Sequence, residues 1–408
     1  MRSILLSAAL VLAGCASPPG APVSQGDTAF EGIAQLLESR RSVDVLLTHG
    51  MCTRNLEGLP DTDWGARSLQ RLRLAFGGAS DSGGSIERLP LEGTPVQVHR
   101  LKMDLPAGTL RASAIVWSPL TQPLKTQLCY DQSNSSALCQ QAQLPAAGGV
   151  RATVNGQTKD VLLDDCLADA VIFAGAAREP MIAHMRAAVL RALDPADAGP
   201  HWSKRTGRAF AVASVPVDTP LVFVTESLGS NLMFEALLSL RDPRLGTVAA
   251  AERTRARTTQ VFMQANQMPL LALAAQSMAG PQDQAELPRT SRSTAAAPLA
   301  VLPAMSPLNP LARFLLPRVG DPDLRRGPAR VIAFGDPNDL LSYRLGGSML
   351  EQGLDVVDQP ASNATPWFGV LANPVRAHQG YPENAAVRRM IVCGKASAAP
   401  CPQWVPQL

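Results

Sequence analysis

The sequence predicts an α/β fold: one mostly parallel central sheet, helices on both faces, and irregular insertions. Two observations carry that expectation. Short apolar runs rich in β-branched and aromatic residues (Val43–Leu47, Leu221–Val224, Thr259–Gln264, Val331–Phe334) have the length and continuity of strands buried on both faces. Between them, Phe30–Arg40, Met181–Leu193 and the stretch from Leu232 to Leu240 repeat their apolar residues at helical period. Strands alternating with helices are the pattern of a parallel sheet joined by crossovers.

A chain of 408 residues can bury one large core with insertions, and 46% hydrophobic residues with a mean hydropathy of +0.03 fit a globular body. The formal net charge of +3 is small and dispersed, with no basic block, so no nucleic-acid partner is expected. Aromatic residues, at 4%, are too scarce for a stacking platform.

In order, Met1-Arg2 is followed by the apolar run Ile4 to Leu12, a secretion signal too short to span a membrane. It ends in Leu12-Ala13-Gly14-Cys15, which resembles the lipobox of bacterial lipoproteins. The resemblance implies cleavage before Cys15 and a diacylglycerol on its thiol. The buried acyl chains would then hold the protein on a membrane. Ala16, where an inner-membrane retention signal has aspartate, implies the periplasmic face of the outer membrane. Residues 16–28 read as a flexible tether, rich in Pro and Gly, and residues 29–408 as the folded body.

Within the body, Val43–Leu47 runs straight into Thr48-His49-Gly50-Met51-Cys52. Trp64 to Phe76 is predicted helical, and Val96–Leu101 and Leu110–Trp117 read as strands. Residues 120–166 are polar and cysteine-bearing, an excursion from the core; Ala170–Ala174 is expected to be a strand. From Gln276 to Pro328 the composition shifts to Ala, Pro, Ser and Gln, a lid-like or irregular insertion in which prolines forbid a continuous helix. The seven cysteines leave six once Cys15 is set aside, and an even remainder in an exported chain reads as disulfides. Connectivity stays open. Pairs Cys129–Cys139 and Cys393–Cys401 would close short loops and leave Cys52 with Cys166. No C-x-x-C, HExxH or grouped carboxylates at ligand spacing occur, so neither metal nor cofactor is expected.

The chemistry centres on Thr225-Glu226-Ser227-Leu228-Gly229, set between the strand Leu221–Val224 and an amphipathic helix. A sharp strand-to-helix turn lifts its apical residue above the sheet and aims the first helical N–H groups at whatever that residue attacks. This stretch resembles the nucleophile elbow of the α/β-hydrolase superfamily, with Thr225 in place of the first glycine. The resemblance implies Ser227 as nucleophile and a His-Gly loop after an early strand, here His49-Gly50. Its implied oxyanion hole is the N–H of Met51 and of Leu228. It also implies an acid after a late strand and then a histidine. The strand Val331–Phe334 is followed by Asp336 and Asp339; Asp339, just past the Pro337-Asn338 turn, is the first choice and Asp336 the reserve. Of five histidines, only His378 lies beyond that loop, where a loop-borne base is expected. As general base it would lose activity as pH falls through about 6.5, where an unperturbed imidazole protonates.

The expected function is hydrolysis of a carboxylic ester, a small-molecule, lipid or acyl ester, by a membrane-anchored Ser227–His378–Asp339 enzyme. A hydrolase-fold binding lipoprotein without activity is the alternative, as is an amidase or thioesterase using the same triad.

Overall fold

The computed structural model describes residues 29–52, 63–77, 84–132, 139, 151–195, 205–274, 309–316, 329–346, 353–366, 370–395 and 400–405. The signal segment, Cys15 and the tether lie outside the described residues, as does most of the 276–328 stretch.

An eight-stranded sheet runs through the molecule in the order β2-β3-β4-β1-β5-β6-β7-β8. Its strands are β1 (Ser42–Thr48), β2 (Ile86–Leu89), β3 (Gln97–Leu105), β4 (Gly108–Val116), β5 (Leu221–Glu226), β6 (Thr258–Gln264), β7 (Arg330–Gly335) and β8 (Asp355–Pro360). From β4 to β8 every neighbouring pair is parallel, while β2, β3 and β4 form an antiparallel meander at one edge. The central strands are buried along nearly their whole length, as their continuous apolar composition requires.

The two faces are covered separately. The principal helices are α1 (Ile33–Arg40), α2 (Trp64–Ala75), α3 (Arg178–Leu193), α4 (Arg205–Ser214), α5 (Ser227–Ser239), α6 (Val248–Arg257), α7 (Met268–Leu273), α8 (Pro310–Leu315), α9 (Pro374–Gln379) and α10 (Ala385–Cys393). Leu46, Phe223, Val261 and Val331 pack with α3, α5 and α8; Leu47, Val224, Phe262 and Ile332 point the other way, toward α1, α2 and α10. This is the period-two alternation of a strand feeding two cores. Helix α5 is buried along most of its length, with Leu228, Leu232, Met233, Phe234 and Leu237 all fully enclosed. Each such side chain contributes about 1.5–3 kcal/mol of transfer free energy.

Several expectations need correction. Ala170–Ala174 is not a strand but part of a helix over Ala168–Ala174 that buries Ala168, Asp169 and Phe173. Those three lie on one helical face, and Val171, which suggested a strand, is exposed. The sequence reading passed over β2 and β8, whose compositions (Ile-Glu-Arg-Leu and Asp-Val-Val-Asp-Gln-Pro) fit the polar edges of a sheet rather than its centre. Of the 276–328 stretch, α8 is ordered core: Asn309 caps it, Pro310 starts it, and Leu311 and Phe314 are buried. The three disulfides join Cys52 to Cys166, Cys129 to Cys139 and Cys393 to Cys401.

Parallel strands end on the same side, so the loops after β1, β5, β6 and β7 gather at one edge of the sheet. Ligands of open α/β sheets bind at such an edge. The β1–β5 register sets Thr48 beside Thr225. It therefore brings the His49–Cys52 loop against Ser227.

Candidate active site

Ser227 is the first residue of α5 and has φ of 49°, a left-handed conformation that a side chain rarely adopts. The turn is tight because of its neighbours. A Cβ on Gly229 would collide with the His49 carbonyl, and one on Gly50 would come within 2.7 Å of the Ser227 Cβ. Only glycines allow the loop after β1 and the start of α5 to touch. Thr225 stands within β5 in ordinary strand conformation, and its Oγ1 accepts a hydrogen bond from Ser230 Oγ at 2.8 Å. The position therefore asks nothing of glycine, which accounts for the departure from the motif.

Ser227 Oγ lies 3.1 Å from His378 Nε2. His378 Nδ1 lies 2.8 Å and 3.0 Å from the two carboxylate oxygens of Asp339. Asp339 is further held by the Leu341 N–H at 3.0 Å and the Tyr381 hydroxyl at 3.2 Å. All three members of the chain are buried. Asp336, the reserve acid, has another role. Its carboxylate accepts from the N–H groups of Asn338, Asn363 and Ala364, and its own N–H donates to Tyr381 Oη at 2.7 Å. It organises the acid loop and makes no hydrogen bond to His378.

His378 sits in α9, not on a loop. Asn373 accepts from Arg376 N–H as N-cap and Pro374 occupies the first turn, a helix-start signal that was readable in Asn373-Pro374. Tyr381 was also missed; burial and the neighbouring Asp339 push its hydroxyl pKa up, so it stays a proton donor.

His49 belongs to the architecture rather than the proton chain. Its Nε2 accepts from the N–H groups of Trp117 (2.9 Å) and Ser118 (3.2 Å), which leaves the proton on Nδ1 to donate to the Gly50 carbonyl at 2.8 Å. The ring also stacks on Trp117 at 4.8 Å. Burial pushes its pKa down to about 3, with the Gly50 carbonyl opposing and the Lys125 ammonium adding to the depression. A neutral, fixed His49 thus shapes the loop. The next N–H groups have distinct fates. Gly50 N–H donates to the Glu226 carboxylate, and Cys52 N–H donates to Asp169 Oδ2 at 2.9 Å. Among the described residues, neither Met51 N–H nor Leu228 N–H meets a protein acceptor. These are the two N–H groups that the resemblance to the α/β-hydrolases implies as oxyanion donors.

The 120–166 excursion turns out to brace this loop. Lys125 Nζ, fully buried, bonds Asp165 Oδ1 at 2.8 Å and Asp169 Oδ2 at 3.1 Å, and the Cys52–Cys166 disulfide ties the loop to the same segment. Sequence reasoning found the cysteines but not the Lys125 network, whose members are scattered along the chain.

The cleft at Ser227, about 40 Å³, is also lined by Glu226, Arg71 and Glu383. Arg71 pairs with Glu383 at 2.6 Å. Desolvation pushes the Glu226 carboxyl up to about 8; Glu383 adds to the rise, while Arg71 and the Gly50 N–H oppose it. Among the described residues no group of three or more His, Cys, Asp or Glu could hold a metal ion, and no helix is long and apolar enough to cross a membrane.

Comparison with protein-family models, with curated proteins and with solved structures found no match.

Proposed function

We propose that this chain is a serine hydrolase of the α/β-hydrolase kind, cleaving a carboxylic ester. One observation carries the reading: Ser227, at a strained turn between strand and helix, is hydrogen-bonded to His378, which is hydrogen-bonded to Asp339. An imidazole between a hydroxyl and a carboxylate can take the hydroxyl proton and keep one tautomer while doing so. The binding-module alternative would be favoured by a Ser227 without a partner, and the 3.1 Å contact argues against it.

The steps follow from the geometry. His378 Nε2 removes the proton of Ser227 as its oxygen attacks the ester carbonyl. Charge that develops on the carbonyl oxygen is met by the N–H groups of Met51 and Leu228, at the positive end of α5. His378 returns the proton to the departing alcohol, and Asp339 stabilises the imidazolium in between. Water, deprotonated by His378, then releases the acid and restores Ser227.

The lipobox places the enzyme on a membrane through Cys15, at the periplasmic face of the outer membrane in this reading. Incorporation of labelled palmitate that disappears in Cys15→Ser is the expected result, and equal incorporation by the variant would remove the anchor from the account. For the chemistry, p-nitrophenyl acetate turned over with an initial burst is expected of the wild type. Hydrolysis that survives in Ser227→Ala would overturn the proposal.

A further inference from the structure

His378 and Tyr381 stand three residues apart, on either side of the end of α9, and both reach Asp339. Gly380 lets the chain turn between them, since a Cβ there would lie 2.6 Å from the Arg376 carbonyl oxygen and 2.8 Å from the Asn363 Cβ. Tyr381 is 1% exposed, so its hydroxyl must find partners inside the protein. It finds two. The Asp336 N–H donates to Oη at 2.7 Å, which leaves the phenolic proton for Asp339 Oδ2 at 3.2 Å. Helix α9 is tied to the acid loop a second time: Asn363, whose N–H meets the Asp336 carboxylate, donates from its side chain to the Ala377 carbonyl at 2.9 Å.

A hydrogen bond to a carboxylate draws negative charge toward the donor, and inside a protein the effect passes along a chain of such bonds. Here the chain runs from the Asp336 N–H through Tyr381 Oη to Asp339, and from Asp339 to His378 Nδ1. Among the described residues, Tyr381 and His378 are the two side chains bonded to Asp339, with the Leu341 N–H as a third donor. Phenol and imidazole therefore compete for one carboxylate. The more charge Tyr381 takes up, the less remains to stabilise the imidazolium. Desolvation, and after it the Asp339 charge, pushes the phenol pKa up, so Tyr381 keeps its proton and stays a donor.

We propose that Tyr381 is a positioning residue for the hydrolysis: its hydroxyl holds Asp339 in register with His378 and takes up part of the carboxylate charge, and so sets the pH below which the general base is protonated and idle. This inference rests on the serine-hydrolase reading. Other ionisable groups face the same site. Glu226 of β5, Arg71 of α2 and Glu383 line the cleft with His378, as does His49, which stays neutral down to about pH 3. Asp336 belongs to the acid loop, and Arg344 and Asp358 share a cavity with Asp339. Glu226 titrates at about pH 8, above the acid limb. All of these side chains remain when Tyr381 alone is changed, so a shift of the acid limb on that change belongs to the phenol.

The test measures kcat/KM for p-nitrophenyl acetate across about pH 5 to 9. It compares the full-length, disulfide-intact wild type, Tyr381→Phe, Asp336→Asn, and a wild type whose three tyrosines are replaced biosynthetically by 3-fluorotyrosine. With the donor gone, Tyr381→Phe should move the acid limb to higher pH by about half a unit or more. Fluorine makes the phenol a stronger donor, so the fluorinated protein should move the limb the other way. Asp336→Asn keeps the backbone N–H and the phenol, and its limb should stay at the wild-type position. The midpoint of a limb does not depend on the folded fraction, and the fluorinated protein loses no hydroxyl, so it decides the matter where Tyr381→Phe folds poorly. A limb unmoved in the fluorinated protein and in Tyr381→Phe, or moved equally by Asp336→Asn, would overturn the role of Tyr381 while leaving Ser227 labelling by a fluorophosphonate intact. A wild type without turnover or labelling would instead sink the hydrolase reading and the role of Tyr381 with it.

Discussion

Two regions beside Ser227 contrast. On one side Ser227, His378, Asp339, Tyr381 and Asp336 are joined by a continuous set of hydrogen bonds. On the other, the buried Gln264 Oε1 and Arg388 Nε meet no partner among the described residues, and Glu226 is held in a setting that disfavours its charge. The difference teaches how one edge of a sheet can divide its labour. A wall whose hydrogen bonds are complete needs no rearrangement when charge develops on it, which is what proton transfer requires. Buried polar atoms left without partners cost stability instead.

Breaking the complete wall should cost most. Ser227→Ala is expected to lower kcat by about 10⁵–10⁶-fold, and Asp339→Asn by about 10³–10⁴-fold because the imidazole then loses its tautomer and its counter-charge. Asp336→Asn, which touches the same loop but not His378, should cost far less activity and register mainly as a lowered Tm. Equal losses in the two aspartate variants, measured by ester turnover, would erase the distinction between the acid and the loop organiser.

The bracing of the His49–Cys52 loop comes next. Replacing Cys52 and Cys166 together by alanine removes a link spanning 114 residues and should cost about 2–5 kcal/mol in denaturant unfolding. Activity should fall beyond the unfolded fraction, since Met51 is adjacent to Cys52. His49→Gln leaves the Trp117 and Ser118 N–H groups short of their acceptor, for a loss of about 1–3 kcal/mol. The pH dependence carries a sign. His49 stays neutral in the native state down to about pH 3, while the unfolded chain takes up that proton near pH 6.5. Its contribution is therefore present above pH 6.5 and lost as pH falls toward about 3. The stability gap between wild type and His49→Gln should narrow as the solution is acidified through that range.

Much of this was legible in the sequence, and the failures have physical causes. The central strands β1, β5, β6 and β7 announced themselves because both their faces are buried. Ser227, Asp339 and His378 were named through the resemblance to the nucleophile elbow and its Ser-acid-His order, and the structure brings the three side chains into contact at one edge of the sheet. The second region was invisible: Arg71, Glu226, Gln264 and Arg388 come from α2, β5, β6 and α10, and no spacing in the chain relates them. Lys125 and Asp169 were hidden for the same reason. The helix at 168–174 was misread because a Val-Ile pair looks strand-like until its buried neighbours are known.

The smallest expected effect sharpens the contrast from the open side. Glu226 is neutral in the native protein up to about pH 8 but ionises near 4.5 in the unfolded chain. Its contribution to stability is full below pH 4.5 and lost as pH rises through about 8. Glu226→Gln should therefore gain Tm relative to the wild type between pH 5 and 9, by a few degrees at most; a parallel pair of Tm curves would mean that Glu226 is ionised and solvated.

The most direct measurement is covalent labelling of the disulfide-intact protein with a fluorophosphonate, followed by mass spectrometry of the modified peptide, for wild type, Ser227→Ala and His378→Ala. The account predicts one adduct, on Ser227, absent from Ser227→Ala and slowed by orders of magnitude in His378→Ala. A folded wild type that takes up no label, or takes it up equally without His378, would contradict the claim that this serine is an activated nucleophile.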